Sequence, residues 1–161
     1  MRRWPQAVEA HALPGLKGRG IIVSRFGEGE HSLLVLNVHL ALSAKARFHQ
    51  FAYIHRVIEH APHVVLMGDL NCTHEELRRS PIGDRQWQWL EEELHTYPSW
   101  KPQKQIDHIL VSDRLHVHSV EVLNERLSDH RPLAVELDLP PGLYLPPEGL
   151  TLPPAGLVLP E

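Results

Sequence analysis

The feature that most constrains the fold is a series of short apolar runs, each broken or ended by an acid, an amide or an imidazole. Runs of this length, rich in leucine and β-branched residues, are typical of strands rather than of helices. The polar residue therefore falls where a strand gives way to a loop. The four runs that carry these residues are residues 36–40, 67–71, 106–109 and 127–132.

The spacing of the apolar runs predicts a layered fold. Residues 21–23 and 33–40 are β-rich and are joined by a glycine-bearing turn, which is a hairpin signal. Ser43 can cap a helix that runs to about Ala61, with Arg47 on its solvent side. Further strands are predicted over residues 63–67, 106–111, 117–123 and 132–137, and short helices over residues 75–79 and 84–94. Strands interspersed with helices indicate an α/β or α+β layered domain.

The chain divides into three segments. Residues 1–16 carry no strong period and are predicted to form an irregular lead-in. Residues 17–138 hold the regular elements. Residues 139–161 contain a degenerate repeat built on Leu-Pro-Pro, which blocks regular helix and central strand because proline lacks the N–H and fixes φ. We expect this tail to be disordered and rich in polyproline II, with docking on an apolar surface or on a partner as the alternative.

Composition limits the classes of function. With 161 residues, 42% of them hydrophobic, the chain is long enough for one domain with a core. A net charge of -4 argues against general binding of polyanions, since such binding requires many lysines and arginines. No apolar run approaches the ~20 residues of a membrane span, and we predict a soluble, cytoplasmic protein. The single cysteine, Cys72, excludes an intrachain disulfide.

The run at residues 67–71 places Asp69 and Asn71 just after a strand that ends in glycine. Alternation along an extended chain would point both side chains the same way. A carboxylate here can polarise water or bind a hard cation, and the amide can donate to a phosphate oxygen. The alternative is an Asx turn that caps the following helix.

The other three runs carry carboxylates or imidazoles. Asp129 and His130 combine a metal ligand with a group that exchanges protons near neutral pH, although such a pair is also common in surface turns. Asp107 lies in an apolar run and needs a partner such as His130, unless it is half exposed. His39 follows Asn37 on one strand face, where a structural histidine is the alternative.

In order and spacing these runs resemble the motifs of the endonuclease/exonuclease/phosphatase family, which includes DNase I-like enzymes. Residues 35–40 are similar to its VxxxHL strand and residues 65–71 to its GDFN strand and loop. Residues 106–110 resemble its IDYI strand and residues 127–132 its SDHxP signature. The resemblance implies a DNase I-like two-sheet α/β sandwich and a Mg²⁺ or Mn²⁺ cofactor.

The resemblance also implies roles for individual residues. It places Asp129, Asp69 and Asn71 at the metal, and His39, Asp69, Asn71, Asp107 and His130 at the reacting phosphate. Asp69 would orient or deprotonate the attacking water, and His39 would act from the opposite side. Asp107 would orient the imidazole of His130. Whether Asp69 or His130 is the base stays open.

One part of the family pattern is missing. The family begins with an asparagine-bearing strand and a strand ending in Gln-Glu, whose glutamate is a principal metal ligand. The only acid before Glu28 is Glu9, which lacks the preceding glutamine. We therefore expect an incomplete sandwich without the first strands, weak or inactive alone. The alternative to a hydrolase is a remnant or interaction module that binds a partner through an exposed sheet edge or the Pro-rich tail.

The substrate is less constrained than the chemistry. A phosphoester substrate is implied, either a nucleic acid, a small phosphodiester or a lipid head group. The acidic net charge makes generic DNA cleavage the least secure of these. The residues that could line a groove near Asp107 are Trp87, Trp89, Trp100, Lys101 and Lys104. The alternative for the tryptophans is packing.

Overall fold

A computed structural model of the protein describes residues 5–15, 17–89 and 94–143. The elements in chain order are β1 (Ala7–Ala12), β2 (Gly20–Phe26), β3 (Leu33–His39), α1 (Ala44–Ile58), β4 (His63–Asp69), α2 (His74–Arg78), β5 (Trp87–Gln88), β6 (Asp107–Ser112), β7 (Val117–Val122) and β8 (Leu133–Leu137). The longer helix, α1, has 15 residues. No helix in the described ranges is both long and apolar enough to cross a membrane.

The strands form two sheets. The larger has six strands in the order β1-β2-β3-β4-β6-β5, and β7 pairs with β8 in a separate two-stranded sheet. Strands β3 and β4 run parallel, with α1 as the crossover between them, and the other pairs are antiparallel. The predicted hairpin of residues 21–23 and 33–40 is confirmed as β2 and β3.

Each face of the large sheet covers its own core. Leu34, Leu36 and Val38 alternate along β3 and face the helical side, where they pack with Phe51 and Ile54 of α1. The opposite face carries Leu33, Val65, Ile109 and Val111, which pack against Val117, Leu133, Val135 and Leu137 of the small sheet. The predicted α/β class with two packed sheets is therefore confirmed.

The prediction of an irregular segment over residues 1–16 is wrong for residues 7–12, which form β1. Every residue of β1 pairs with β2, from Ala7 opposite Arg25 to Ala12 opposite Gly20. As the edge strand, β1 is largely exposed, and even Val8 is 53% accessible. An edge strand shows little alternation between buried and exposed residues, so the sequence carried no strong signal. Residues 1–4 and 16 lie outside the described ranges.

The predicted helix over residues 84–94 is also wrong where the chain is described. Trp87 and Gln88 form β5, which pairs with Ser112 and Val111 at the edge of β6. The Trp87 indole is buried and donates to the Ile82 carbonyl at 2.8 Å. Aromatic packing thus outweighs a local helical pattern here. Residues 90–93 of that prediction, and residues 144–161 of the predicted tail, fall outside the described ranges.

Arg47 was expected at the solvent side of α1, and instead it is only 5% exposed. Its Nε and Nη2 donate to the two carboxylate oxygens of Glu76 at 2.8 and 2.7 Å. Its Nη1 donates to the carbonyls of Ala41 and Leu42. The paired charge satisfies the buried guanidinium and ties α1 and α2 to the loop that follows His39.

Candidate active site

Strand register places three polar side chains in a row where the central strands of the large sheet end. His39 is the last residue of β3 and lies opposite Asp69, the last residue of β4. Asp69 in turn lies opposite Asp107, the first residue of the antiparallel β6. The ends of β3 and β4 and the start of β6 therefore meet on one side of the sheet. This explains why motifs far apart in sequence form one site.

The loop before β8 is held against these strand ends by the segment around Ser99. The Ser99 N–H donates to the Asp129 carbonyl at 2.7 Å, and its hydroxyl donates to the Ser128 carbonyl at 2.7 Å. The Arg131 N–H donates to the Thr96 carbonyl, and the Arg131 Nε to the Ser99 carbonyl. These bonds fix the backbone on both sides of His130.

Asp107 has the partner that its apolar surroundings require. The His130 Nδ1 lies 2.7 Å from Asp107 Oδ2, and the Thr96 hydroxyl donates to the same oxygen at 2.5 Å. Thr96 is fully buried. The expected contact between Asp107 and His130 is thus present. Thr96 escaped prediction because a threonine in a Pro-containing loop gives no signal of a bond to a carboxylate 11 residues away.

Asp69 and Asn71 form a tight turn rather than a continued strand. Asn71 has a positive φ of 50°, a conformation that asparagine tolerates better than most residues. Its N–H donates to Asp69 Oδ1 at 3.0 Å, and its Nδ2 donates to the Leu40 carbonyl at 2.9 Å. An Asx turn is therefore present and orients the Asp69 carboxylate, but α2 is capped by the Thr73 hydroxyl and not by this turn. Because the Asn71 side chain bonds Leu40 through its nitrogen, its Oδ1 is left as a potential metal ligand.

His39 faces two charged groups through a single nitrogen. Its Nε2 lies 2.6 Å from Arg19 Nη1 and 3.5 Å from Asp69 Oδ2. A guanidinium can only donate, so Nε2 is the acceptor of the shorter contact. The sequence did not indicate Arg19, because it lies in the turn before β2 and reaches His39 only through strand pairing.

Burial and neighbouring charges shift the pKa values of two of these groups. Burial raises the pKa of Asp69, and the negative charge of Asp107 raises it further, against the bond from the Asn71 N–H. Burial lowers the pKa of His130, but the hydrogen bond to Asp107 and the charges of Asp107, Asp69 and Asp129 together raise it above its usual value. Asp69 is thereby a stronger base and His130 more readily an imidazolium.

These side chains line one cleft of about 660 Å³. All six predicted site residues face it, namely His39, Asp69, Asn71, Asp107, Asp129 and His130. The cleft wall also includes Leu42, Tyr97, Lys104 and Ile106. The Tyr97 ring lies 4.8 Å from the His130 ring, centre to centre. Tyr97 was not singled out from the sequence, whereas Lys104 was among the proposed groove residues.

Two of the three tryptophans, Trp87 and Trp89, favour the packing interpretation. Trp87 is buried in the core, and Trp89 lies under the guanidinium of Arg78 at 4.3 Å. Trp100 is 62% exposed. None of the three is among the described residues that line the cleft.

The donors in the cleft fit a hard divalent cation. Ligand atoms of Asp69, Asp107 and His130 lie within 4.8 Å of one another. Asp129 is exposed and lies outside this group, although it lines the same cleft. Carboxylate and amide oxygens are the ligands that Mg²⁺ prefers. The negative charge of Asp107 helps to raise the pKa of Asp69, and a bound cation would relieve this repulsion between the two carboxylates.

A buried histidine beneath the site makes stability depend on pH. The His108 Nε2 donates to the Cys72 carbonyl at 2.9 Å, next to Asn71. Burial lowers the pKa of His108 from its ordinary value of 6.5, so the folded state holds it neutral. The contribution of neutral His108 to the free energy of unfolding is present above pH 6.5. It is lost as the pH falls below that value, because the imidazole then binds a proton in the unfolded chain but not in the folded one.

We therefore expect His108→Gln to flatten the acid side of the stability profile. Between pH 7.5 and 5.5 the wild type should lose up to about 1.4 kcal/mol more unfolding free energy than the variant. Urea unfolding at the two pH values measures this difference. The exposed His60→Gln variant should behave like the wild type. Equal losses in wild type and His108→Gln would contradict the assignment.

Comparison with known proteins identifies the class of protein. The model of the endonuclease/exonuclease/phosphatase family matches residues 3–130. The chain therefore belongs to the endonuclease/exonuclease/phosphatase family. No curated protein sequence matches it.

Solved structures share the fold. A mannosyl-6-phosphatase from Bacteroides thetaiotaomicron is 21% identical with a TM-score of 0.58, and the match covers 74% of this chain and 57% of that one. D. rerio TDP2 complexed with a single-strand DNA product is 17% identical with a TM-score of 0.63, covering 82% and 67%. The inositol polyphosphate 5-phosphatase domain of SPsynaptojanin, in complex with inositol (1,4)-bisphosphate and calcium ion, is 20% identical with a TM-score of 0.62, covering 80% and 52%. The present chain thus spans about half to two thirds of their lengths.

Proposed function

We propose that this chain hydrolyses phosphoesters with the help of a divalent cation, Mg²⁺ or Mn²⁺. The observation that carries the proposal is the cleft itself, in which the Asp107–His130 pair faces Asp69 and His39. Such a set combines a base, an acid and phosphate donors in one cleft. Family membership supports the same reaction type.

Asp69 is the candidate base. Its carboxylate is held by the Asn71 N–H and lines the cleft beside His39 and the Asp107–His130 pair. We propose that Asp69 orients a water molecule and accepts its proton as the water oxygen bonds to phosphorus. The ester P–O bond breaks in the same reaction, and the leaving alcoholate takes up a proton from solvent. Asn71, fixed by the Leu40 carbonyl, would donate or coordinate beside it.

His130 is the candidate phosphate donor. With Nδ1 bonded to Asp107, its Nε2 is the ring nitrogen left for a substrate oxygen. The raised pKa favours an imidazolium, which can donate to the negative charge that develops on the phosphoryl group. Asp107 keeps the ring in one orientation, and Thr96 keeps Asp107 in place.

The remaining groups would bind charge around the phosphate. His39 lies on the far side of Asp69, with Arg19 beside it, and Lys104 lies on the cleft wall. Asp129, Asp69 and Asn71 are the residues proposed to hold the cation. When bound, a divalent cation supplies Lewis-acid stabilisation of negative charge on the phosphoryl oxygens.

A small phosphodiester is the substrate class that the site supports best. Among the described residues that line the cleft, Lys104 is the only lysine or arginine. Arg19 lies next to the cleft, where it contacts His39. This is too little positive charge to track a long nucleic acid backbone. Related folds act on varied phosphoesters, so a nucleic acid and a lipid head group belong in the same assay.

Hydrolysis of bis-p-nitrophenyl phosphate tests the proposal. We expect turnover in Mg²⁺ or Mn²⁺, loss of turnover in EDTA, and at least about a tenfold loss in Asp129→Ala because a cation ligand is removed. Asp84→Asn, which changes an exposed carboxylate outside the cleft, should retain full activity. p-Nitrophenyl phosphate, a single-stranded oligonucleotide and an inositol phosphate compare the substrate classes.

Strong metal-dependent turnover would refute the expectation that the chain is weak or inactive on its own. A folded protein without turnover on any of these substrates would instead contradict the hydrolase proposal. It would favour an interaction module, for which the small sheet offers unpaired strand edges within the described residues.

A further inference from the structure

A second cluster of metal-binding side chains lies on the small sheet, away from the cleft. Ligand atoms of His116, His118 and Asp138 all lie within 4.8 Å of one another. The His118 Nε2 is 2.8 Å from Asp138 Oδ1. The ring centres of His116 and His118 are 4.7 Å apart, with an interplanar angle of 89°. None of the three residues lines the cleft.

The backbone brings these residues together through strand pairing and a β-bulge. Val117 lies opposite Leu137, but Ser119 lies opposite Glu136, so His118 is the extra residue without a partner in the ladder. The Asp138 N–H donates to the His116 carbonyl at 2.9 Å, which continues the pairing by one residue. Bulges of this kind redirect a side chain, and here the redirected imidazole meets the carboxylate at the strand end.

We infer that His116, His118 and Asp138 form a surface site for a divalent transition metal such as Zn²⁺, Ni²⁺ or Cu²⁺. Two imidazoles and one carboxylate are a donor set that these metals favour, whereas Mg²⁺ prefers oxygen alone. Three protein ligands leave at least one position for water. The site is thus distinct in both place and chemistry from the proposed Mg²⁺ or Mn²⁺ centre.

The side chains are open to an incoming ion. The side chains of His118 and Asp138 are 45% and 62% exposed, and His116 is also exposed. Metal binding would replace the proton that His118 shares with Asp138, and the ligand atoms of all three side chains already lie within 4.8 Å of one another. The ion would join the start of β7 to the end of β8, and it would therefore stabilise the smaller sheet.

Zn²⁺ titration of the full chain by calorimetry, with excess Mg²⁺ present, tests the site. Mg²⁺ occupies oxygen-rich positions but competes poorly for imidazole. We expect one equivalent of Zn²⁺ and a rise in thermal midpoint. His116→Gln, His118→Gln and Asp138→Asn should each lower the Zn²⁺ affinity at least about tenfold. Absorption of the Co²⁺-loaded protein should report a nitrogen and oxygen site and change in the same three variants.

His60→Gln is the matched control. His60 is 92% exposed and lies 4.0 Å from Glu59, which makes it an imidazole–carboxylate pair without a second imidazole. It should bind Zn²⁺ like the wild type. Circular dichroism of each variant confirms folding. Absence of Zn²⁺ binding, unchanged binding in all three site variants, or an equal loss in His60→Gln would each overturn the inference.

Discussion

Asp107→Asn should lower kcat for the best phosphoester substrate by about 10² to 10⁴, with a much smaller change in KM. The carboxylate accepts bonds from both His130 and Thr96 through one oxygen. An amide cannot supply the same charge, and its NH₂ group would face a donor if it turned inward. His130 would then lose both its orientation and the charge that favours its imidazolium. Steady-state kinetics over a range of pH measures the effect.

Two comparisons separate this role from a loss of folding. Thr96→Val removes one hydrogen bond to Asp107 but keeps the shape of the side chain at position 96. This variant should lower kcat less than Asp107→Asn does. The double variant Asp107→Asn with His130→Gln should be little worse than His130→Gln, because the two residues act as a unit. If the losses simply multiply, Asp107 does not act through His130.

Gly68→Ala should lower the free energy of unfolding by about 3 kcal/mol or more. Gly68 has a φ of 134°, and a Cβ added there would lie 2.0 Å from the Val38 carbonyl oxygen. That oxygen belongs to the neighbouring parallel strand, so relief requires β3 and β4 to separate at the site. Urea unfolding measures the loss. Activity should fall as well, because Asp69 is the next residue.

Gly29→Ala is the control for backbone conformation alone. Gly29 also has a positive φ, at 60°, but an added Cβ would meet nothing within 4 Å. It should cost only about 1 kcal/mol, the usual penalty of the left-handed region. Equal losses in the two variants would show that the close approach to Val38 does not matter.

The sequence was informative where local pattern and side-chain chemistry agree. The β-rich composition of residues 33–40 predicted the strand that the structure has there. The need of Asp107 for a partner predicted the contact with His130, 23 residues away. The family and the fold class followed from the order of four motifs. The roles assigned to His39, Asp69, Asn71, Asp129 and His130 stay predictions until kinetics test them.

The sequence was uninformative where long-range contacts decide the structure. Arg47 falls on a pattern typical of an exposed helix face, and only Glu76 on another helix explains its burial. Arg19 reaches the site because β2 pairs with β3, which a local reading cannot show. The His116–His118 cluster depends on a one-residue bulge, and bulges leave no period to detect.

The hydrogen bonds around Ser99 join one wall of the cleft to the backbone that carries His130. Tyr97 and Lys104 face the cleft and pair with each other across a short loop, whose exposed tip includes Trp100, Lys101 and Gln103. The same loop anchors the backbone around His130 through Ser99. The exposed tip lies outside the cleft wall, so substitutions there should leave the backbone around His130 in place. A substitution at Ser99 would instead disturb that backbone together with the loop that carries Tyr97 and Lys104.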